Sequence, residues 1–146
     1  MNGKVLVGYA TKYGSTKEVA SAIADVLREN GHSVDLLALR EVTSLEGYSA
    51  VVVGAPFYMF KWLKGARKFL SRNQKFLESI PVAVFALGPT DENENENNRP
   101  EVFAQLDKAL EEFPWLKPVD KRMFGGKFDP ANLTFPMSLF LSLIHI

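Results

Sequence analysis

The stretch Val5–Thr16, VLVGYATKYGST, constrains the fold more than any other part of the chain. Val5, Leu6 and Val7 form a continuous apolar run, as a central parallel strand covered on both faces requires. The character then changes within a few residues. Thr11, Gly14, Ser15 and Thr16 bring three hydroxyls and a flexible backbone position to the start of a helix whose apolar residues begin at Val19. Free N–H groups at a helix start, reinforced by the helix dipole, bind a dianionic phosphate. Small residues let the backbone close around such a group, and hydroxyls add donors. Two readings of this loop stand side by side: a phosphate cradle, and a plain helix start capped by Ser15 or Thr16.

Composition narrows the classes. With 146 residues, 47% hydrophobic and 23% charged, residues 1–146 read as a single domain with a substantial core. A formal net charge of zero gives nucleic-acid binding no electrostatic support. The absence of cysteine excludes disulfides, thiol redox chemistry and thiolate metal sites. His32 and His145 are expected to be ordinary surface histidines, too few and too far apart for a metal cluster. The first strand begins so near Met1 that no signal peptide is expected. No apolar run reaches the roughly 18 to 20 residues that span a bilayer. The expectation is a cytoplasmic protein, with peripheral contact at the inner face of the cell membrane left open.

Strand and helix alternate along the chain. From Thr16 to Asn30, Val19, Ile23, Val26 and Leu27 recur at helical spacing, and Asn30-Gly31 ends the helix as a left-handed terminal glycine does. Ser33–Leu39 predicts a second strand and Ala50–Gly54 a short third, with Arg40–Ser49 too polar and interrupted to assign. Lys61–Asn73 predicts a helix with Trp62, Ala66, Phe69 and Leu70 inward, and Val82–Leu87 a fourth strand after Pro81. Gly88–Pro100, GPTDENENENNRP, is too polar for anything but a surface loop. Pro100 opens a third helix that carries Val102, Phe103, Leu106, Leu110 and Phe113 inward and ends at Pro114. Val119–Gly126 predicts a fifth strand, weakened by Asp120, Lys121 and Arg122 and suited to a sheet edge. Thr134 and Pro136 signal a last helix.

This pattern predicts an α/β fold, a five-stranded parallel sheet of order 2-1-3-4-5 with helices on both faces. Ligands of such sheets sit beyond the carboxyl ends of the strands, where strand order reverses. Three loops are selected: Ala10–Thr16, Ala55–Phe60 and Gly88–Asn98. The first supplies phosphate donors and the second the aromatics Phe57, Tyr58 and Phe60. A ligand with a phosphate at one end and a flat ring system at the other, such as flavin mononucleotide (FMN), fits that arrangement. Neither G-x-G-x-x-G nor G-x-x-x-x-G-K-S/T is present, which sets aside dinucleotide and ATP readings. A magnesium-dependent receiver domain is set aside too, because Met1–Lys17 contains no Asp or Glu.

TKYGST at Thr11–Thr16 resembles the FMN-phosphate loop of flavodoxins, so the fold expected is flavodoxin-like. GAPFYMFKWLKGARKFL at Gly54–Leu70 is similar to the segment after strand three of the flavodoxin-like protoporphyrinogen oxidases, the menaquinone-dependent protoporphyrinogen IX dehydrogenases. FGGKFD at Phe124–Asp129 resembles the segment after their fifth strand, and the likeness runs from Lys4 to about Phe140. The resemblance implies that Thr11, Lys12, Tyr13, Gly14, Ser15 and Thr16 surround the phosphate. It implies that Ala55, Pro56, Phe57, Tyr58 and Met59 line the isoalloxazine, with Leu87 and Gly88 approaching from the third loop. Many carrier flavodoxins stack an aromatic from that loop on the flavin, yet Gly88–Asn98 contains none. Stacking then falls to Tyr58 or its neighbours, and one flavin face is left to a substrate.

Lys61, Lys64, Arg67, Lys68, Arg72 and Lys75 make the second helix basic, whereas Asp91, Glu92, Glu94 and Glu96 make the third loop acidic. Solvation explains both by default. The functional alternative is attraction of an anionic substrate, such as a porphyrin bearing propionates, or of an anionic membrane surface where a quinone is met. Only a dozen residues follow Thr134, and LSLIHI at Leu141–Ile146 reads like a translated transposon-end adapter. Two readings stand: a truncated last helix with an artificial tail, and a naturally short final helix. The function implied is an FMN-dependent oxidoreductase passing electrons from a porphyrinogen to a quinone, with no side chain marked as acid or base. The alternative is a non-enzymatic electron carrier that docks redox partners through its acidic loop.

Overall fold

The computed structural model describes residues 4–10, 15–58, 61–62, 64–87 and 106–124. Strand β1, Lys4–Tyr9, leads to helix α1, Ser15–Glu29, and then to β2, Val34–Ala38. A single 3-10 turn, Leu39–Glu41, precedes β3, Tyr48–Tyr58, which is followed at once by the short β4, Lys61–Trp62. Helices α2, Lys64–Arg72, and α3, Gln74–Leu77, connect to β5, Val82–Leu87. Residues 106–110 are helical and lead to β6, Asp120–Phe124.

The hydrogen-bonded order of the strands is β2-β1-β3-β5-β6, and each neighbouring pair on this path is parallel. Side chains alternate across a strand, so the sheet has two buried faces. On one face Val5, Val7, Val52, Ala83 and Phe85 meet Val19, Ile23 and Leu27 of α1. On the other, Leu6, Val53, Val84 and Ala86 meet Phe69 and Leu70 of α2, together with Leu106, Leu110 and Phe113. Both faces being covered is why the central strands read as unbroken apolar runs. Ile23 and Leu27 are each 1% exposed, and burial at that depth is worth about 1.5–3 kcal/mol per side chain.

The end of α1 follows the expectation from Asn30-Gly31. His32 N–H donates to the Leu27 carbonyl at 3.1 Å and Gly31 N–H to that of Arg28 at 3.0 Å, the bonding pattern of a Schellman cap. Gly31 has φ 89°, the left-handed value that this cap requires. Strand β6 pairs with β5 alone, which puts it at the sheet edge as its charged residues suggested.

Other expectations are corrected. Among the described residues the five parallel strands keep the expected order, but a short sixth strand is added, where Phe57 and Tyr58 of β3 pair antiparallel with Trp62 and Lys61 of β4. The third strand therefore runs four residues beyond Gly54, and Ala55–Tyr58 are strand, not loop. Trp62 is paired with Phe57 in this ribbon, and that pairing overrides its helical spacing. The helix accordingly starts at Lys64, and Trp62 is no part of it. Its inner face of Ala66, Phe69 and Leu70 is as expected. Asn73 ends it, its backbone N–H and its side-chain Nδ2 both donating to the Phe69 carbonyl at 3.1 and 2.9 Å. The expected second strand stops at Ala38, one residue short of Leu39, which opens the 3-10 turn, and the unassigned Arg40–Ser49 packs Val42 and Leu45 into the core with it. The start of the third helix at Pro100, with Val102 and Phe103, the helix from Thr134 and the tail Leu141–Ile146 all lie outside the described residues.

Candidate functional site

Register brings the carboxyl ends of three strands together. Tyr9 of β1 lies opposite Gly54 of β3, and the next amide, Ala10 N–H, donates to the Gly54 carbonyl at 2.9 Å. Pro56 of β3 lies opposite Leu87 of β5, which in turn lies opposite Phe124 of β6. The connections after Tyr9, Tyr58 and Leu87 thus leave one end of the sheet side by side. Because β2 and β3 flank β1 on opposite sides, strand order reverses at β1, and sheets of this kind bind ligands in the crevice at that switch point.

Helix termini close on that crevice. Ser15 is the first residue of α1, and Thr16 follows it with only 1% of its surface exposed, the one buried polar side chain among the described residues. A hydroxyl buried beside amides that have no intrahelical acceptor suits an anion. Lys17, in the same first turn, is exposed. From the other side α2 approaches closely: a Cβ added at Gly65 would lie 3.3 Å from that of Ala10. This donor set of small residues, hydroxyl and free amides fits a terminal phosphate.

Five of the residues expected at the ring end, Ala55, Pro56, Phe57, Tyr58 and Leu87, lie on strands. Ala55 is fully buried and lies opposite Ala86, and Pro56 is half-buried at the next position. Phe57 and Tyr58 form the outer rungs of the β3–β4 ribbon, and Leu87 ends β5. Thr11, Lys12, Tyr13, Gly14, Met59 and Gly88 lie outside the described residues.

Two features near or opposite the crevice escaped the sequence. Gly54 is hemmed in by the Phe85 ring, whose atoms fill the space a Cβ would take. At the far end of the sheet, Tyr48 OH donates to Asp35 Oδ2 at 2.8 Å, and Lys4 Nζ lies 3.8 Å from the same oxygen. Burial, and then the adjacent Asp35 carboxylate, push the Tyr48 phenol up from 10.0 to about 12. Only the register, which sets Lys4 opposite Tyr48 and Leu6 opposite Asp35, brings these three groups together.

Residues 6–144 match the family described as the flavodoxin domain, and the chain belongs to that family. FMN is the cofactor this membership implies, and the small-residue, hydroxyl-bearing end of the crevice fits its phosphate. Over 86 residues the chain is 28% identical to the protoporphyrinogen IX dehydrogenase [quinone] of Escherichia coli K12, a match covering 58% of this chain and 48% of that protein. The matched part is thus about half the length of that relative. Among solved structures, the two-electron reduced flavodoxin of Megasphaera elsdenii superposes with a TM-score of 0.60 at 13% identity, covering 82% of this chain and 85% of that one. The oxidised flavodoxin 2 of Bacillus cereus gives 0.59 at 22% identity, with 84% of each chain covered.

Proposed function

We propose that this chain is an FMN-dependent oxidoreductase that takes electrons from a porphyrinogen-like substrate and passes them to a quinone. The observation that carries the reaction class is the likeness to the Escherichia coli enzyme, whose name specifies that donor and acceptor. Residues Thr11–Thr16 would hold the phosphate against the first turn of α1. Ala55, Pro56, Phe57, Tyr58 and Met59 would flank the ring from β3, with Leu87 and Gly88 on the β5 side. FMN, when bound, supplies the redox chemistry, and the protein's part is to bind it, orient it and tune its surroundings. The loop Gly88–Asn98 carries no aromatic to cover the ring, which leaves a face for a substrate. No helix among the described residues is long and apolar enough to cross a membrane. The reading places the protein in the cytoplasm, meeting the quinone at the inner membrane face.

A second reading, a non-enzymatic electron carrier, is favoured by the match to complete flavodoxins over 84% or more of their length. One experiment separates the two. In an anaerobic single-turnover mixture, protoporphyrinogen should bleach the flavin absorbance of the FMN-loaded chain, and a menaquinone analogue should restore it. FMN that stays oxidised with porphyrinogen, yet exchanges electrons with a flavodoxin reductase at rates that fall with salt, identifies the carrier.

A further inference from the structure

A groove outside the flavin crevice runs between α2 and the turn that follows residues 106–110. Its volume is about 590 Å³, inside the span of roughly 300–1,000 Å³ typical of small-molecule sites. Lys64, Lys68 and Arg72 recur at intervals of four along one face of α2 and line it, with Arg67 and Ser71 on the adjoining row. The opposite face of the helix, Ala66, Phe69 and Leu70, is buried in the core, so the cationic face is fixed in place by packing. Like charges at this spacing oppose helix formation.

The far wall holds Glu112 and Phe113. Arg67 reaches across, its Nε and Nη2 both donating to Glu112 Oε2 at 3.1 and 2.9 Å. That ion pair ties the two walls together and uses up the groove's carboxylate. Lys64, Lys68 and Arg72 have no ion-pair partner among the described residues. Phe113 lines the groove from a largely buried position in the core.

We propose that this groove binds a small organic polyanion, a molecule with two or more carboxylate or phosphate groups on a compact body. Three cations without an ion-pair partner among the described residues, spaced along one helix face, select multiple acidic oxygens over a single one, and the Ser71 hydroxyl adds a neutral donor. Glu112 and Phe113 give the cationic row a second wall, which favours a small molecule over a flat lipid surface. Since α2 begins at the flavin crevice, where Gly65 meets Ala10, a ligand on this face lies beside the flavin site without sharing its residues.

The test titrates the FMN-loaded protein with benzene-1,3,5-tricarboxylate and, separately, with inorganic tripolyphosphate, read by calorimetry and by amide chemical shifts. Saturable binding of at least one probe is expected, weakening as salt rises, with shifts centred on Lys64–Arg72 and Glu111–Phe113. Lys68→Gln combined with Arg72→Gln should weaken it at least about tenfold, as expected for lost charge-assisted hydrogen bonds. Glu112→Gln should tighten it, because Arg67 is released to the ligand. FMN affinity should stay the same in all of these variants, which also reports that they are folded. Which probe binds distinguishes carboxylate from phosphate ligands, and either supports the site. Failure of both probes to saturate at millimolar concentration overturns the proposal, as does binding that the double variant leaves unchanged. Capture by phosphatidylserine vesicles with neither small probe binding overturns it too, and assigns the basic face to a membrane.

Discussion

At Gly54 a missing side chain decides whether β3 and β5 can lie side by side over Phe85. A methyl group there would fall within the Phe85 ring. Overpacking of a tight core costs about 1–3 kcal/mol, so Gly54→Ala should lower the midpoint of urea unfolding by a corresponding amount. Gly54→Ala combined with Phe85→Leu should recover part of the loss if the clash is the cause. Tyr48 makes a prediction of a different kind. Its folded-state value of about 12 stands above the ordinary 10.0, so the folded protein keeps the proton after the unfolded chain has released it. That contribution to stability is complete below pH 10 and is lost as pH rises toward about 12. Tyr48→Phe should flatten the fall in unfolding free energy over this window, measured by denaturant titration at a series of pH values. At this scale the sequence is only partly legible. Thr16 stands out because a hydroxyl before an apolar helix face has few uses, whereas the partners of Gly54 and Tyr48 are set by register alone.

Elements were legible where one signal dominated. Helix α1 carries a clear apolar stripe and a glycine stop, and the structure places both as read. Its cap is testable: at φ 89° Gly31 occupies the left-handed region, where a Cβ costs about 1–2 kcal/mol. The space around Gly31 is open, so Gly31→Ala should destabilise by that backbone penalty alone, seen as a lower thermal midpoint with unchanged far-ultraviolet circular dichroism at low temperature. The stretch between β3 and α2 was not legible, because two signals compete there. Trp62, Ala66, Phe69 and Leu70 share helical spacing, yet Phe57, Tyr58 and Trp62 also suit a two-stranded ribbon. Pairing across the chain decides that contest, and periodicity carries no information about it. The polar run after β2 hid its buried residues for a related reason, since Val42 and Leu45 stand among charged and hydroxyl side chains.

For the whole molecule, alternation of strand and helix was enough to order the parallel strands, because right-handed crossovers leave few arrangements for such a chain. The same rule picks out the candidate site: Tyr9, Gly54, Pro56 and Leu87 reach one end of the sheet because the register puts them there. This end of the sheet is proposed to bind FMN through its phosphate. The most direct measurement compares FMN with riboflavin, by quenching of flavin fluorescence on titration with the apoprotein. If the loop and the first turn of α1 supply two or more charge-assisted hydrogen bonds of about 1.5–3 kcal/mol each, FMN should bind at least about a hundredfold more tightly. Equal affinities for FMN and riboflavin would contradict the claim and reduce Ser15 and Thr16 to the capping of a helix.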